Sequence, residues 1–152
     1  MSDRIVIDGL VFHGDGHPEP LRAGRVTAAN ITVAPYTQGF EPAFDAMSRW
    51  LVKVAQPDSG WRLVLRAEDI EQAHAEGQTG LIMGWQNLLP LESSLERIRG
   101  FHAMGLRVGQ LTYNEANFVA DGCGEARGGG LTQFGRAVVA EAKELRRSRP
   151  RQ

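Results

Sequence analysis

One cysteine, Cys123, is the whole thiol content of this 152-residue chain, so no disulfide can form within it. Aromatic residues make up only 7%, and tyrosine occurs twice, as Tyr36 and Tyr113. No apolar run is long enough to span a bilayer, and the start lacks the charged, apolar and small-residue order of a secretion signal. Neither sign of charge dominates. Lys and Arg number 17 against 18 Asp and Glu, a formal net charge of -1, so no global field draws the chain to nucleic acid or an anionic membrane. These absences predict a cytoplasmic protein without nucleic-acid or membrane partners.

What is present is a folding composition, 42% hydrophobic and 23% charged, at the length of one domain. Extended and helical patterns alternate. Arg4-Ile5-Val6-Ile7, stopped by Asp8-Gly9, reads as a strand over 4 to 8, and VTAANITV, stopped by Ala34-Pro35, as a strand over 26 to 33. Phe44, Met47, Leu51, Val52 and Val54 recur mostly at helical steps between Glu41 and Val54, before Pro57. A third strand over 62 to 66 leads into the polar helix AEDIEQAHAE, which Gly77 ends. GLIMGWQN gives a fourth strand over 80 to 86. A helix carrying Leu95, Ile98 and Phe101 follows, then a fifth strand over 107 to 112. A last helix runs from Thr132 to about Arg147, after the Gly122 to Gly130 loop.

Strands separated by helices predict an α/β fold with a parallel sheet, because parallel neighbours need a crossover. Residues 1–145 form the folded unit, and 146–152, RRSRPRQ, a basic tail expected to be solvated. In such sheets reactive groups collect where the strands end. Trp85-Gln86-Asn87 ends the fourth strand and Tyr113-Asn114 follows the fifth, so Gln86, Asn87, Tyr113 and Asn114 are the candidate substrate-binding residues. The bland use of such amides, satisfying loop backbone, stays open. His13-Gly14-Asp15 is a candidate metal pair, since alternation along an extended segment turns both side chains to one side. Its Gly and Pro surroundings are equally those of a solvated loop. His74 and His102 sit in helices, where packing or solvation is their ordinary use, and the Gly-rich loop lacks the ending of a phosphate-binding loop.

From about Thr79 to Glu144 the run containing GLIMGWQNLLPLE, FHAMGLR, LTYNEAN and GLTQFG resembles the membrane (renal) dipeptidase family, zinc peptidases. Asp8-Gly9 and Arg66-Ala67-Glu68-Asp69-Ile70 fit as well. The resemblance implies a barrel of eight parallel strands ringed by helices, hydrolysis of dipeptides, and a two-zinc centre on the C-terminal face. The residues depart from that chemistry in places. The family's first ligands, a His-x-Asp pair directly after Asp-Gly, fall in register on Leu10 and Phe12, and its bridging glutamate falls on Gln86. Its fifth-strand histidine corresponds to Tyr113. Two further histidines and an aspartate of the family lie past the segment matched here.

A complete barrel takes about 250 residues. The chain is therefore expected to be a partial (β/α)8 barrel of about five strands, a truncated or frame-shifted product. It should bind zinc weakly or not at all, lack dipeptidase activity by itself, and self-associate through open barrel edges. The alternative is a non-catalytic fragment that binds a small peptide-like ligand.

Overall fold

The computed structural model describes residues 4–12 and 16–147. Five strands form one sheet: β1 (Ile7–Val11), β2 (Ala28–Thr32), β3 (Trp61–Leu63), β4 (Thr79–Trp85) and β5 (Leu106–Gly109). Every pairing is parallel. The helices are α1 (Glu19–Ala23), α2 (Phe40–Val54), α3 (Ala67–Ala75), α4 (Glu96–Ala103) and α5 (Gln133–Arg147), with a 3₁₀ turn at Leu89–Leu91.

Although five strands are present, the sheet is four strands wide. β2 lines one edge of β4 throughout, from Ala28 opposite Gly80 to Thr32 opposite Gly84. The other edge is shared. β3 pairs with its first part, Thr79 to Leu81, and β5 with its last, Met83 to Trp85. Backbone bonds follow the same division: the Thr79 amide donates to the Gly60 carbonyl, the Val64 amide to Leu81, and the Gln110 amide to Trp85. β3 is thus a short bridge at the base of the position that β5 occupies above.

Alternation gives the sheet two unlike faces. Ala29, Ile31 and Val33 of the β2 segment and Leu81, Met83 and Trp85 of β4 are buried in one core with Ala43, Ala46 and Met47 of α2 and Ile98 and Phe101 of α4. Trp85 meets Phe101 edge to face at 4.4 Å. On the opposite, lumenal face lie Ala28, Asn30 and Thr32 beside Gly80, Ile82 and Gly84. Asn30 Nδ2 donates to the Gly9 carbonyl at 2.9 Å, tying β2 to β1 where their register slips between Asp8 and Val11. Its Oδ1 lies over Gly84. A Cβ there would come within 1.9 Å of that oxygen, which is why this strand carries glycine before Trp85.

The helix ends are held locally. Glu92 Oε1 accepts from the Phe40 amide at the start of α2, and Glu92 Oε2 pairs with Arg97, whose guanidinium sits 4.3 Å from the Phe40 ring centre. These contacts, the Arg97 hydrogen bond first, hold the Glu92 carboxyl below the usual range. Asp69 Oδ2 accepts from the Leu65 and Arg66 amides and starts α3. Thr132 Oγ1 accepts from the Gly135 amide and starts α5.

Two local expectations are corrected. β1 begins at Ile7 and runs through Asp8-Gly9 to Val11, instead of stopping at that dipeptide. Its pairing with β2 overrides the turn propensity of Asp-Gly. The second is α1 (Glu19–Ala23), where no helix was expected: Pro20 stands at the helix start and so loses no internal bond. α2, α3, β4 and α5 lie close to their predicted positions. No helix among the described residues is long and apolar enough to cross a membrane.

Candidate functional site

All four main strands point their C-terminal ends to one lip. Phe12 follows β1, Tyr36 follows β2, Gln86 and Asn87 follow β4, and Tyr113 and Asn114 follow β5. The rings form a row: Phe12 meets Tyr36 at 6.3 Å, and Tyr36 meets Tyr113 at 4.5 Å with a 47° tilt. Tyr36, which sequence reasoning passed over, is the centre of that row. Its place directly after Ala34-Pro35 at a strand end was the available signal.

The candidate residues divide by what their polar atoms already do. Asn87 is buried and hydrogen-bonded through both of its polar atoms. Its Nδ2 donates to the Tyr36 carbonyl at 2.8 Å, while its Oδ1 accepts from the Leu89 amide at 3.0 Å and from Asn117 Nδ2 at 2.6 Å. Asn117 in turn donates to the Leu111 carbonyl and accepts from the Val119 and Ala120 amides. This amide pair binds three strand-end loops together, so Asn87 positions the lip. Asn117 was missed because an amide within LTYNEAN carries no local mark of burial.

Gln86 is half-buried, and among the described residues its side-chain amide has no hydrogen-bond partner. β4 alternation places it on the lumenal side with Gly84. Tyr113 is half-buried and Asn114 exposed. The Gln110 amide bond to Trp85 and the Leu88 amide bond to Leu111 bring their two strand ends alongside one another. The loop after Tyr113-Asn114 folds back onto it: the Cys123 amide donates to the Tyr113 carbonyl at 3.2 Å and the Gly124 amide to Asn114 at 2.7 Å. Gly122 permits that approach, since a Cβ there would stand 2.5 Å from the Asn114 carbonyl. A cavity of about 370 Å³ lies between the two segments, bounded by Gln110, Thr112, Tyr113, Asn114 and Cys123.

Farther along the loop, Arg127 grips Asp121 with Nε and Nη2, and the Gly129 amide donates to Asp121 Oδ2 at 2.6 Å. The Arg127 hydrogen bonds, then the Gly129 amide, hold the Asp121 carboxyl below the usual carboxylate range. A larger cavity of about 560 Å³ opens beside the lip between β2 and α2, bounded by Phe12, Thr32, Tyr36, Arg49, Trp50 and Lys53. It brings cationic groups to the edge of the aromatic row.

Leu10 and Phe12 have no lone pair to give, Gln86 carries no charge, and no cluster of three or more His, Cys, Asp or Glu occurs among the described residues. These residues do not fit a two-zinc centre. His13 and Asp15, the proposed metal pair, lie outside the described residues.

Comparison with known proteins agrees with this architecture. Among solved structures, the chain is similar to an amidohydrolase from Pseudomonas aeruginosa, at 33% identity and a TM-score of 0.85, over 94% of this chain and 44% of that one. It is also similar in fold to the probable dipeptidase PvdM from Pseudomonas aeruginosa, at 16% identity, TM-score 0.73, over 94% and 45%. A third is a metallo peptidase from Rhodobacter sphaeroides bound to a phosphinate mimic of the dipeptide L-Ala-D-Ala, at 18% identity, TM-score 0.67, over 93% and 56%. The chain therefore spans about half the length of the structures it matches. The family model described as membrane dipeptidase (peptidase family M19) matches residues 21–146, most of the chain, and with the parallel sheet and its lip this establishes that the chain belongs to the membrane dipeptidase family.

Proposed function

We propose that the lip recognises a small peptide-like ligand of the kind the dipeptidase family hydrolyses, and that this chain by itself holds the ligand without metal-assisted turnover. The observation that carries the reading is the donor set. Gln86 presents an amide uncommitted among the described residues at the strand-end lip that also carries the Tyr36 and Tyr113 rings, while the family resemblance puts Leu10 and Phe12 where the first metal ligands would stand.

A side-chain amide matches a peptide bond at two points. Gln86 Oε1 accepts the peptide N–H and Nε2 donates to its carbonyl, as neutral amides pair without a charge to desolvate. The Tyr113 hydroxyl supplies a further donor to a carbonyl or carboxylate oxygen, and the ring row offers a flat apolar wall for a ligand side chain. Arg49, beside the adjoining cavity, adds a cation for a terminal carboxylate. Family members are zinc-dependent, and a two-metal centre acidifies water and polarises the scissile carbonyl. Neither task can pass to Gln86, which is neither a base at neutral pH nor a charged bridge.

The test titrates zinc, cobalt and manganese into the purified chain while hydrolysis of a dipeptide panel is followed, with dipeptide binding measured in parallel by calorimetry. The expected result is binding that Gln86→Ala weakens about tenfold, equivalent to roughly 1.4 kcal/mol, with no turnover that metal stimulates. Metal-stimulated hydrolysis lost in His13→Ala would overturn the reading and make His13 and Asp15 a ligand pair.

A further inference from the structure

At the end of the sheet away from the lip, a cavity of about 520 Å³ opens ahead of the strands, bounded by Arg4, Arg22, Arg25, Thr27, His74 and Gln78. Three guanidinium groups and an imidazole line it, and among the described residues no carboxylate does. In a chain with 17 basic against 18 acidic residues this is a local excess of positive charge. Apart from Arg4, these residues lead into β2 and β4, and both of those strands are paired along each edge. The form of the cavity therefore does not depend on what lies beyond β1 or β5.

Two helices end there in the same turn. After α1 the Val26 amide donates to the Leu21 carbonyl and the Arg25 amide to Arg22, and after α3 the Gln78 amide donates to Ala73 and the Gly77 amide to His74. Each turn holds one left-handed residue, for which glycine is the ordinary choice. α3 has Gly77 there, at φ 68°. α1 has Arg25, at φ 58°, although Gly24 stands directly before it. A long side chain is strained in that conformation, so the turn itself does not account for an arginine at this place.

The helix ends also leave positive charge over. Cations are ordinary beside C-terminal carbonyls, and Arg22 has that use. Its Nη1 donates to the Gly77 carbonyl at 3.3 Å and its Nη2 to Glu19 Oε1 at 3.4 Å. The Leu21, Arg22, Ala73 and His74 carbonyls are taken by the turn amides. The side chains of Arg4, Arg25 and His74 make no hydrogen bond or ion pair among the described residues. Arg4 is held at the cavity through Val6, whose amide donates to Thr27 Oγ1 at 3.1 Å and whose carbonyl accepts from the Thr27 amide at 2.8 Å.

We propose that this cavity is a binding site for a small diphosphate anion, at the opposite end of the strands from the lip and independent of any ligand held there. A guanidinium fork matches two oxygens of one phosphoryl group. Arg4 and Arg25 come from separate segments, so each takes one phosphoryl group, while His74 and the Gln78 amide donate N–H groups to the oxygens that remain. The volume is that of a small-molecule site, which spans roughly 300–1,000 Å³.

The test is calorimetric titration of pyrophosphate into the intact chain at fixed ionic strength, with inorganic phosphate as the comparison. The expected result is one saturable site per chain, at least tenfold tighter for pyrophosphate than for phosphate. Arg25→Gly suits the left-handed turn, so it should weaken pyrophosphate binding at least tenfold while the melting temperature stays level or rises. A purely structural Arg25 would not separate those two readouts. Arg4→Ala should weaken binding in the same way. Arg136→Ala, which removes one exposed positive charge from α5, should leave it unchanged. Absence of saturable binding overturns the proposal, and so does binding indifferent to both Arg25→Gly and Arg4→Ala. Equal weakening by Arg136→Ala also overturns it, by reducing the effect to general charge attraction, and phosphate bound as tightly as pyrophosphate overturns the assignment of two phosphoryl groups.

Discussion

The two faces of this sheet have the same backbone and opposite fates. Toward the helices, Ala29, Ile31, Leu81 and Met83 are completely buried, and Trp85 and Phe101 nearly so. Toward the lumen, Leu10 and Phe12 stand largely in solvent. The contrast locates the stability of the isolated chain. Burial of apolar area drives folding, so the layer between β2, β4, α2 and α4 holds the half-barrel together, while lumenal side chains contribute little until something covers them.

Breaking the buried side should have the largest effect. Phe101→Ala removes a ring that packs on both Trp85 and Phe40, and should cost about 3–5 kcal/mol in urea denaturation. A loss below about 1 kcal/mol would put the core elsewhere. Next comes the contact through the sheet itself. Gly84→Ala drives a methyl group into Asn30 Oδ1 and should cost about 1–3 kcal/mol, with the double variant Gly84→Ala/Asn30→Ala recovering part of it. Additive losses in that cycle would mean that the two positions do not meet.

Acid sharpens the comparison by reaching a carboxyl of the strand-end loops, Asp121. Because Asp121 has a native pKa below its unfolded value of about 3.9, its contribution is fully present above that value. It is lost as pH falls through the lowered native one. The Gly129 amide resonance should therefore move at a lower pH than an unpaired aspartate predicts, before the core melts, and Asp121→Asn should abolish the transition. The smallest effect belongs to the bare face. Leu10→Ser should change the stability of the monomeric chain by no more than about 0.5 kcal/mol while raising its solubility. A larger loss would show that the lumen is already packed.

The legible parts of this fold were those whose signal is periodic. α2 repeats its apolar residues at helical steps, and β4 is a continuous apolar run, so each was visible without neighbours. β1 was misplaced because Asp8-Gly9 reads locally as a turn, and only pairing with β2 and the Asn30 bond to Gly9 hold it extended. The shared edge of β4 could not be read at all, since no local pattern says which of two short strands takes which half. At the lip, the residue types were legible but their employment was not. Gln86 and Asn87 are adjacent amides at a strand end, yet alternation turns one to the lumen and the other into a buried knot with Asn117. Tyr36 escaped notice because its partner in space, Tyr113, is distant in sequence.

That shared edge has a consequence for synthesis on the ribosome. β4 reaches its final environment only when β5 has emerged, because β3 covers the first part of its edge and leaves Met83 to Trp85 without a partner. A nascent chain that has released β4 but not Gly109 thus leaves one edge of Met83 to Trp85 open, beside a finished pairing with β2. Slow decoding between Trp85 and Gly109 would prolong the interval in which that half-edge can capture a neighbouring nascent chain, so synonymous codons across this stretch should alter soluble yield without altering the folded product.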